Sequence, residues 1–462
     1  MIRSGYVMAG FETLSKIVDY FIKGKSGRWD DNFSREDIAH FLSSTTAGFL
    51  QSFGQNFAGK KKYDKYKKNM TKILTKCKGT GFFDGSNIIV DSGGFQISIG
   101  RLTKEESLIL YKLYYEWIQE NLDLFERAFV LDVPPGPGCQ VFETFDDIYR
   151  WNLESYEKAK ALPKPLRDKL IYVHHFRTPK LWEIYTKIMR EYDMFNSFNY
   201  HSTGGIVANL GSDMSIPCIV YVLPLIPLVN EAKKFGRKKL SFHILGGANF
   251  RDIFYYELFK KSVETEHDIE LEMTYDSSGV FKQLMHARFI QSRDDYGNVH
   301  KMYFREFELN ERFSGNRTKI QQIDQQLNSM AKRWNFKQIS MDGLYCGERN
   351  TLYSDIKCYL FFYALEMYAK MQEEIRGIVR DIYPIYEAGD HDGFYNECLR
   401  VTRMMNQGNL TKKARVKAYS IPRSLDMIKN LDEDYCFFLI NKFMSKDEFS
   451  YLEDSGRILE AI

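Results

Sequence analysis

The chain has 462 residues, 44% of them hydrophobic and 15% aromatic, enough for a large core in one or two domains and too few for three. A net charge of +3 excludes a globally basic nucleic-acid binder, so any such surface has to be local. Seven scattered cysteines without a Cys-x-x-Cys pair exclude a disulfide frame and point to a reducing, cytoplasmic setting. The first residues lack the apolar run of a signal peptide, and no stretch of about 18 apolar residues suggests a membrane span.

In chain order, the N-terminal 80 residues carry only a weak strand signal at GYVMAGF (5–11). From residue 86 short apolar runs alternate with helix-like stretches. The runs are NIIVD (87–91), RAFVLD (127–132), KLIYVHH (169–175), TGGIVA (203–208), KLSFHILGG (239–247) and ELEMTYD (270–276). Their starts are spaced by roughly 30–40 residues, the length of a βα unit. Between them, Thr103 to Glu106 forms a capping box ahead of a stripe of Leu108, Tyr111, Tyr115 and Ile118. Thr178-Pro179 reads as an N-cap followed by proline at the first helical position, and NFRDIFYYELFKK carries another helical stripe. Some 250 residues of this rhythm, with no Gly-x-Gly-x-x-Gly after the first strand, favour a TIM (β/α)8 barrel over a doubly wound sheet. VHKMYFREFE (299–308) suggests an extra strand. Beyond it the chain turns helical, so the expected division is a barrel over 1–315, with 1–80 divergent, and a mainly helical C-terminal appendage over 316–462 packed on the barrel.

A parallel barrel gathers its chemistry where the strands end. The run ends are Asp91, Asp132, His174 with His175, Gly204 with Gly205, Gly246 with Gly247, and Asp276. Each admits a plain structural role: an Asp bonding its own turn, a half-buried histidine, a glycine bending the chain. Three strand-end carboxylates on one rim nonetheless suit displacement at a sugar carbon, one as nucleophile and one moving protons. Glycines there let a flat ligand approach backbone, and Phe95 offers a ring to stack on it.

These segments resemble, in order, those of the tRNA-guanine transglycosylase superfamily of base-exchange enzymes. DSGGFQ (91–96) is similar to its signature segment, LDVPPGP (131–137) to its second Asp segment, TGGIVA to its Gly-Gly segment and HILGGANFRDI (243–253) to its Gly-rich segment. YVHHFRTP (172–179) falls where that family has a Gln-Gly pair, and MTYDSSGVF (273–281) where it has the nucleophilic Asp. The resemblance spans roughly residues 80–310. It implies Asp276 as nucleophile and Asp91 as proton shuttle, with Asp132, Ser92, Phe95, His174, Gly204, Gly205, Ile206 and Leu245 around the base. It also implies a free 7-deazaguanine base as co-substrate and no redox or organic cofactor.

Two departures bear on the polymer. Members acting on tRNA carry zinc on Cys-x-Cys-x2-Cys and a later His, whereas the matching region here has only Cys346, Cys358 and a distant His391, so no metal is expected. His174-His175 stands in place of Gln-Gly. Both point to the bacterial and phage branch that places 7-deazaguanines such as 7-cyano-7-deazaguanine in DNA, with tRNA as the alternative polymer. A non-catalytic nucleic-acid-binding subunit and a barrel glycoside hydrolase are the competing classes. KKKYDKYKKN (60–69), with Lys60, Lys61, Lys62, Lys65, Lys67 and Lys68 interleaved with Tyr63 and Tyr66, is one candidate phosphate surface. TKKARVKAY (411–419), with Lys412, Lys413 and Arg415, is the other.

Overall fold

The computed structural model describes residues 4–9, 34–55, 57–59, 62–79, 81, 88–134, 138–176, 178–204, 223–247, 250–277, 289–293, 299–303, 317–338, 349–405, 408, 410 and 412–443. Eight parallel strands close into a barrel in chain order: β1 (Gly5–Ala9), β2 (Gly48–Ser52), β3 (Ile88–Asp91), β4 (Arg127–Phe129), β5 (Leu170–His174), β6 (Tyr200–Thr203), β7 (Lys239–Ile244) and β8 (Glu270–Ser277). The seam is closed by β8 against β1, with Val7 opposite Asp276.

Helices separate the strands. They are α1 (Arg35–Thr45), α2 (Tyr63–Gly79), α3 (Gly94–Ser98), α4 (Lys104–Glu120), α5 (Phe145–Lys160), α6 (Lys164–Arg167), α7 (Pro179–Glu191), α8 (Met194–Ser197), α9 (Leu225–Lys234) and α10 (Phe250–His267). The expected capping box starts α4, and Thr178 caps α7 ahead of Pro179. The buried face of α4 is Leu110, Tyr114, Tyr115, Trp117 and Ile118, one step round from the expected stripe, and Leu108 is exposed. Helical spacing alone admits both stripes; the wider aromatic one takes the core.

Strand alternation sorts side chains between two cores. Residues such as Ile88 and Val90, or Tyr172, face the helix layer. Val7, Ala9, Ala47, Leu50, Ile89, Phe129, Ile171 and Val173 form a separate apolar plug inside the barrel. Below the plug, near the strand starts, Arg127 pairs with Glu272 at 2.7 Å and lies over the Tyr200 ring at 3.8 Å. Above it, the interior positions turn polar.

The fourth apolar run overlaps its strand only at Thr203 among the described residues. The strand there is Tyr200–Thr203, with His201, Ser202 and Thr203 all buried, and residues 205–208 of the expected run lie outside the described residues. Two strands the sequence barely signals, β1 and β2, complete the circle. After β8 come an antiparallel hairpin, β9 (Phe289–Arg293) with β10 (Val299–Tyr303), and helices α11 (Arg317–Arg333), α12 (Arg349–Glu387), α13 (His391–Met405), α14 (Lys412–Asn430) and α15 (Glu433–Phe443). Helix α12 packs between α10 and α1 and lies against β1. Tyr368 meets Tyr6 at 4.4 Å between ring centroids, and Arg376 bonds Glu257 on α10 and the Ser4 carbonyl. The C-terminal region thus supplies the helix over the β8/β1 seam.

Candidate active site

Asp91 is the last residue of β3 and follows Ile89 on the inward face. What holds it there is glycine. Gly93 has φ of +94°, and a β-carbon on it would lie 2.4 Å from the Gly54 α-carbon beyond β2. A β-carbon on Gly94 would lie 1.9 Å from the Asp132 carbonyl oxygen. The two glycines of DSGGFQ therefore let the end of β3 press against its neighbours on both sides. Ser92 is buried in the same turn, and Phe95, on the first turn of α3, is 43% exposed.

Asp132 sits three residues beyond β4, on a segment clamped by helix side chains. Tyr114 donates to the Phe129 carbonyl at 2.5 Å, Ser155 to that of Leu131, and Asn152 exchanges two hydrogen bonds with the Val133 backbone. The buried Asp132 carboxylate is in direct contact with Nε2 of His175. A carboxylate only accepts, so Nε2 carries the hydrogen.

His174 does not join this group. Strand alternation turns it outward, where its ring packs 5.9 Å from both Trp182 and Tyr185 of α7. Burial, with the neighbouring cations and histidines, pushes its pKa down to about 3, so it is a neutral core residue. The inward histidine is His175, two residues after Val173. A β-carbon on Gly204 would lie 2.7 Å from the His175 ring, so glycine at 204 makes space for imidazole. Gly205 and Ile206 lie outside the described residues. Leu245 is half-buried against the plug.

Asp276 ends the inward series Glu272, Thr274, Asp276 on β8. Its Oδ1 accepts the Gly246 N–H at 2.7 Å and faces Nε2 of His243 at 3.3 Å. Gly246 has φ of +77°, a left-handed turn that aims its N–H at the carboxylate. His243 Nδ1 lies 2.8 Å from the Thr274 hydroxyl, and its ring meets Phe129 edge-on. The sequence reading passed over His243. The signal was there: in KLSFHIL, Ser241 and His243 share the face that alternation assigns to the interior.

Asp132 and Asp276 both act on Asp91. Burial raises the Asp91 carboxyl to about 6, the charges of Asp132 and Asp276 add to this, and the Ser52 hydroxyl and Gly93 N–H oppose it. One mouth thus holds a carboxyl poised near neutrality beside a carboxylate fixed by donors. Such a pair can divide acid–base work from nucleophilic attack.

No family model and no curated protein matches the chain.

The basic segments are partly accounted for. Lys60 and Lys61 lie outside the described residues; Lys62, Lys65 and Lys68 are exposed. Lys67 is engaged by Glu116 and Glu120 of α4 at 3.5 and 3.0 Å. Tyr66 is buried with its hydroxyl on the Phe53 carbonyl, and Tyr63 stacks on Phe57, so neither ring stands with the lysines. Arg415 on α14 is exposed; Lys412 and Lys413 are on the same helix. Among the described residues no helix is long and apolar enough to cross a membrane, and no group of three or more His, Cys, Asp or Glu could hold a metal ion. Cys346 lies outside the described residues.

Proposed function

We propose that this chain is a base-exchange transglycosylase that replaces guanine in DNA with a 7-deazaguanine base. The observation that carries the reading is the pairing in one barrel mouth of Asp91, raised to about 6, with the donor-held carboxylate of Asp276. In the first displacement an Asp276 oxygen attacks C1′ of the target nucleoside. The C1′–N bond breaks, its electrons pass to the leaving guanine, and Asp91 gives that base a proton. In the second, the incoming base gives its N–H proton to the Asp91 carboxylate and attacks C1′, and the Asp276 ester bond breaks. Two displacements restore the anomeric configuration, and no net proton or electron is consumed. Asp132 accepts from base N–H groups, and the exposed Phe95 ring stacks on the extruded base, which must leave its helix at a cost of about a few kcal/mol. DNA is favoured by the absence of the Cys-x-Cys-x2-Cys pattern.

The test supplies duplex DNA and bulk tRNA in parallel with labelled 7-cyano-7-deazaguanine, digests both and analyses the nucleosides. Label in DNA that disappears with Asp276→Ala supports the reading. Label in tRNA alone moves the activity to that polymer, and persistent exchange by Asp276→Ala removes Asp276 as nucleophile.

A further inference from the structure

We propose that His243, braced by Thr274, is a positioning residue for Asp276, selecting which of its two oxygens attacks; the inference rests on the base-exchange reading. Both contacts to the carboxylate fall on Oδ1, from the Gly246 N–H at 2.7 Å and from His243 Nε2 at 3.3 Å. Among the described residues no hydrogen bond reaches Oδ2. The proton placement follows from the partners. A carboxylate oxygen only accepts, so Nε2 is an N–H nitrogen, and in the uncharged ring that places the bare nitrogen at Nδ1. Nδ1 then accepts the Thr274 hydroxyl hydrogen at 2.8 Å. Thr274 is thus the anchor of a short chain, Thr274 O–H to Nδ1 and Nε2–H to Oδ1, that fixes ring tautomer and carboxylate plane together.

The arrangement is buried. His243 and Thr274 are nearly inaccessible, opposite each other in the β7/β8 register, and the ring is held edge-on by Phe129 at 5.3 Å. With Oδ1 tied down, Oδ2 is the oxygen that bonds to C1′. In the ester Oδ1 is the carbonyl oxygen, and the negative charge returns to it when the Oδ2–C1′ bond breaks. The same donors then stabilise the departing carboxylate, as fixed donors do wherever charge develops.

His243→Phe keeps a ring and removes the donor; His243→Gln keeps an amide N–H able to reach Oδ1. In exchange assays on the full chain, His243→Phe is expected to lower kcat about 10- to 100-fold. KM for the free base should stay within about threefold, and His243→Gln should recover most of the loss. Trapped covalent adduct should build up in His243→Phe during single turnovers. Histidine ¹⁵N spectra should show His243 as the Nε2–H tautomer, with a resonance that moves in Asp276→Asn. A folded His243→Phe with unchanged kcat, a loss confined to KM, or a tautomer signal insensitive to Asp276→Asn each overturns the inference while leaving base exchange in place. Absence of exchange by the unmodified protein on both DNA and tRNA, with the tautomer signal intact, overturns the base-exchange reading and the role of His243 with it.

Discussion

Asp91 shows how one residue's surroundings set its chemistry. Burial and the nearby Asp132 and Asp276 raise its pKa from 3.8 to about 6. A carboxyl raised in the folded state binds its proton more tightly there than in the unfolded chain. Stability is therefore greatest below about pH 4 as far as this group is concerned, and falls as pH rises through about 6. Asp91→Asn should remove that slope and raise stability at about pH 8 by about 1–3 kcal/mol, read from denaturant midpoints at about pH 5 and pH 8. The same shift separates the half-reactions. Release of the old base uses protonated Asp91, so single-turnover adduct formation should fall about tenfold per pH unit above about 6. Capture of the new base uses the ionised form and should rise to a plateau over the same range. A pH-independent adduct step in the unmodified protein removes Asp91 as the proton donor. The Asp91→Asn protein should carry neither limb.

At the scale of elements, alternation and turn chemistry made most of the site legible. The inward residues of β3, β7 and β8 are two apart in sequence, so Asp91 and Asp276 could be assigned to the strand ends without coordinates. The same rule, applied strictly, separates His175 from His174, since Ile171, Val173 and His175 share a parity; reading the two as an equivalent pair hid this. What alternation cannot show is which backbone a glycine touches. Gly94 lies against the Asp132 carbonyl only because β3 and β4 pair in a register set by residues far apart in the chain. The element that holds the carboxylates together is therefore the β3–α3 turn. Gly94→Ala is expected to force β3 and β4 apart. It should cost about 1–3 kcal/mol by overpacking and lower kcat, whereas Phe95→Ala, which removes the ring proposed to stack on the base, should raise KM with the fold intact. Comparable thermal midpoints for Gly94→Ala and the unmodified protein would show that the contact carries no strain.

At the scale of the whole molecule, the helices that follow the barrel bear on how it closes. Beyond about residue 315 the chain becomes helical, and the barrel with a helical appendage packed on it that the sequence leads one to expect is what the structure has. In the structure the strand circle closes with β8 at Ser277, while the helix over the β8/β1 seam is α12, from Arg349 to Glu387. The outward faces of those strands, Tyr6 and Met8 on β1 with Met273 and Tyr275 on β8, are buried in the shared core. Removing α12 leaves them to water, at about 1.5–3 kcal/mol for each large side chain, a sum comparable with the whole stability of a domain. Asp276 is the inward neighbour of Tyr275, so the seam that α12 covers is also the strand pair that presents the proposed nucleophile. A protein ending at residue 315 should therefore be insoluble or bind hydrophobic dyes, with no cooperative thermal transition. A peptide spanning 316–462, co-expressed with it, should restore both the transition and any exchange activity. A soluble 1–315 fragment that unfolds cooperatively would instead show that the barrel closes without α12.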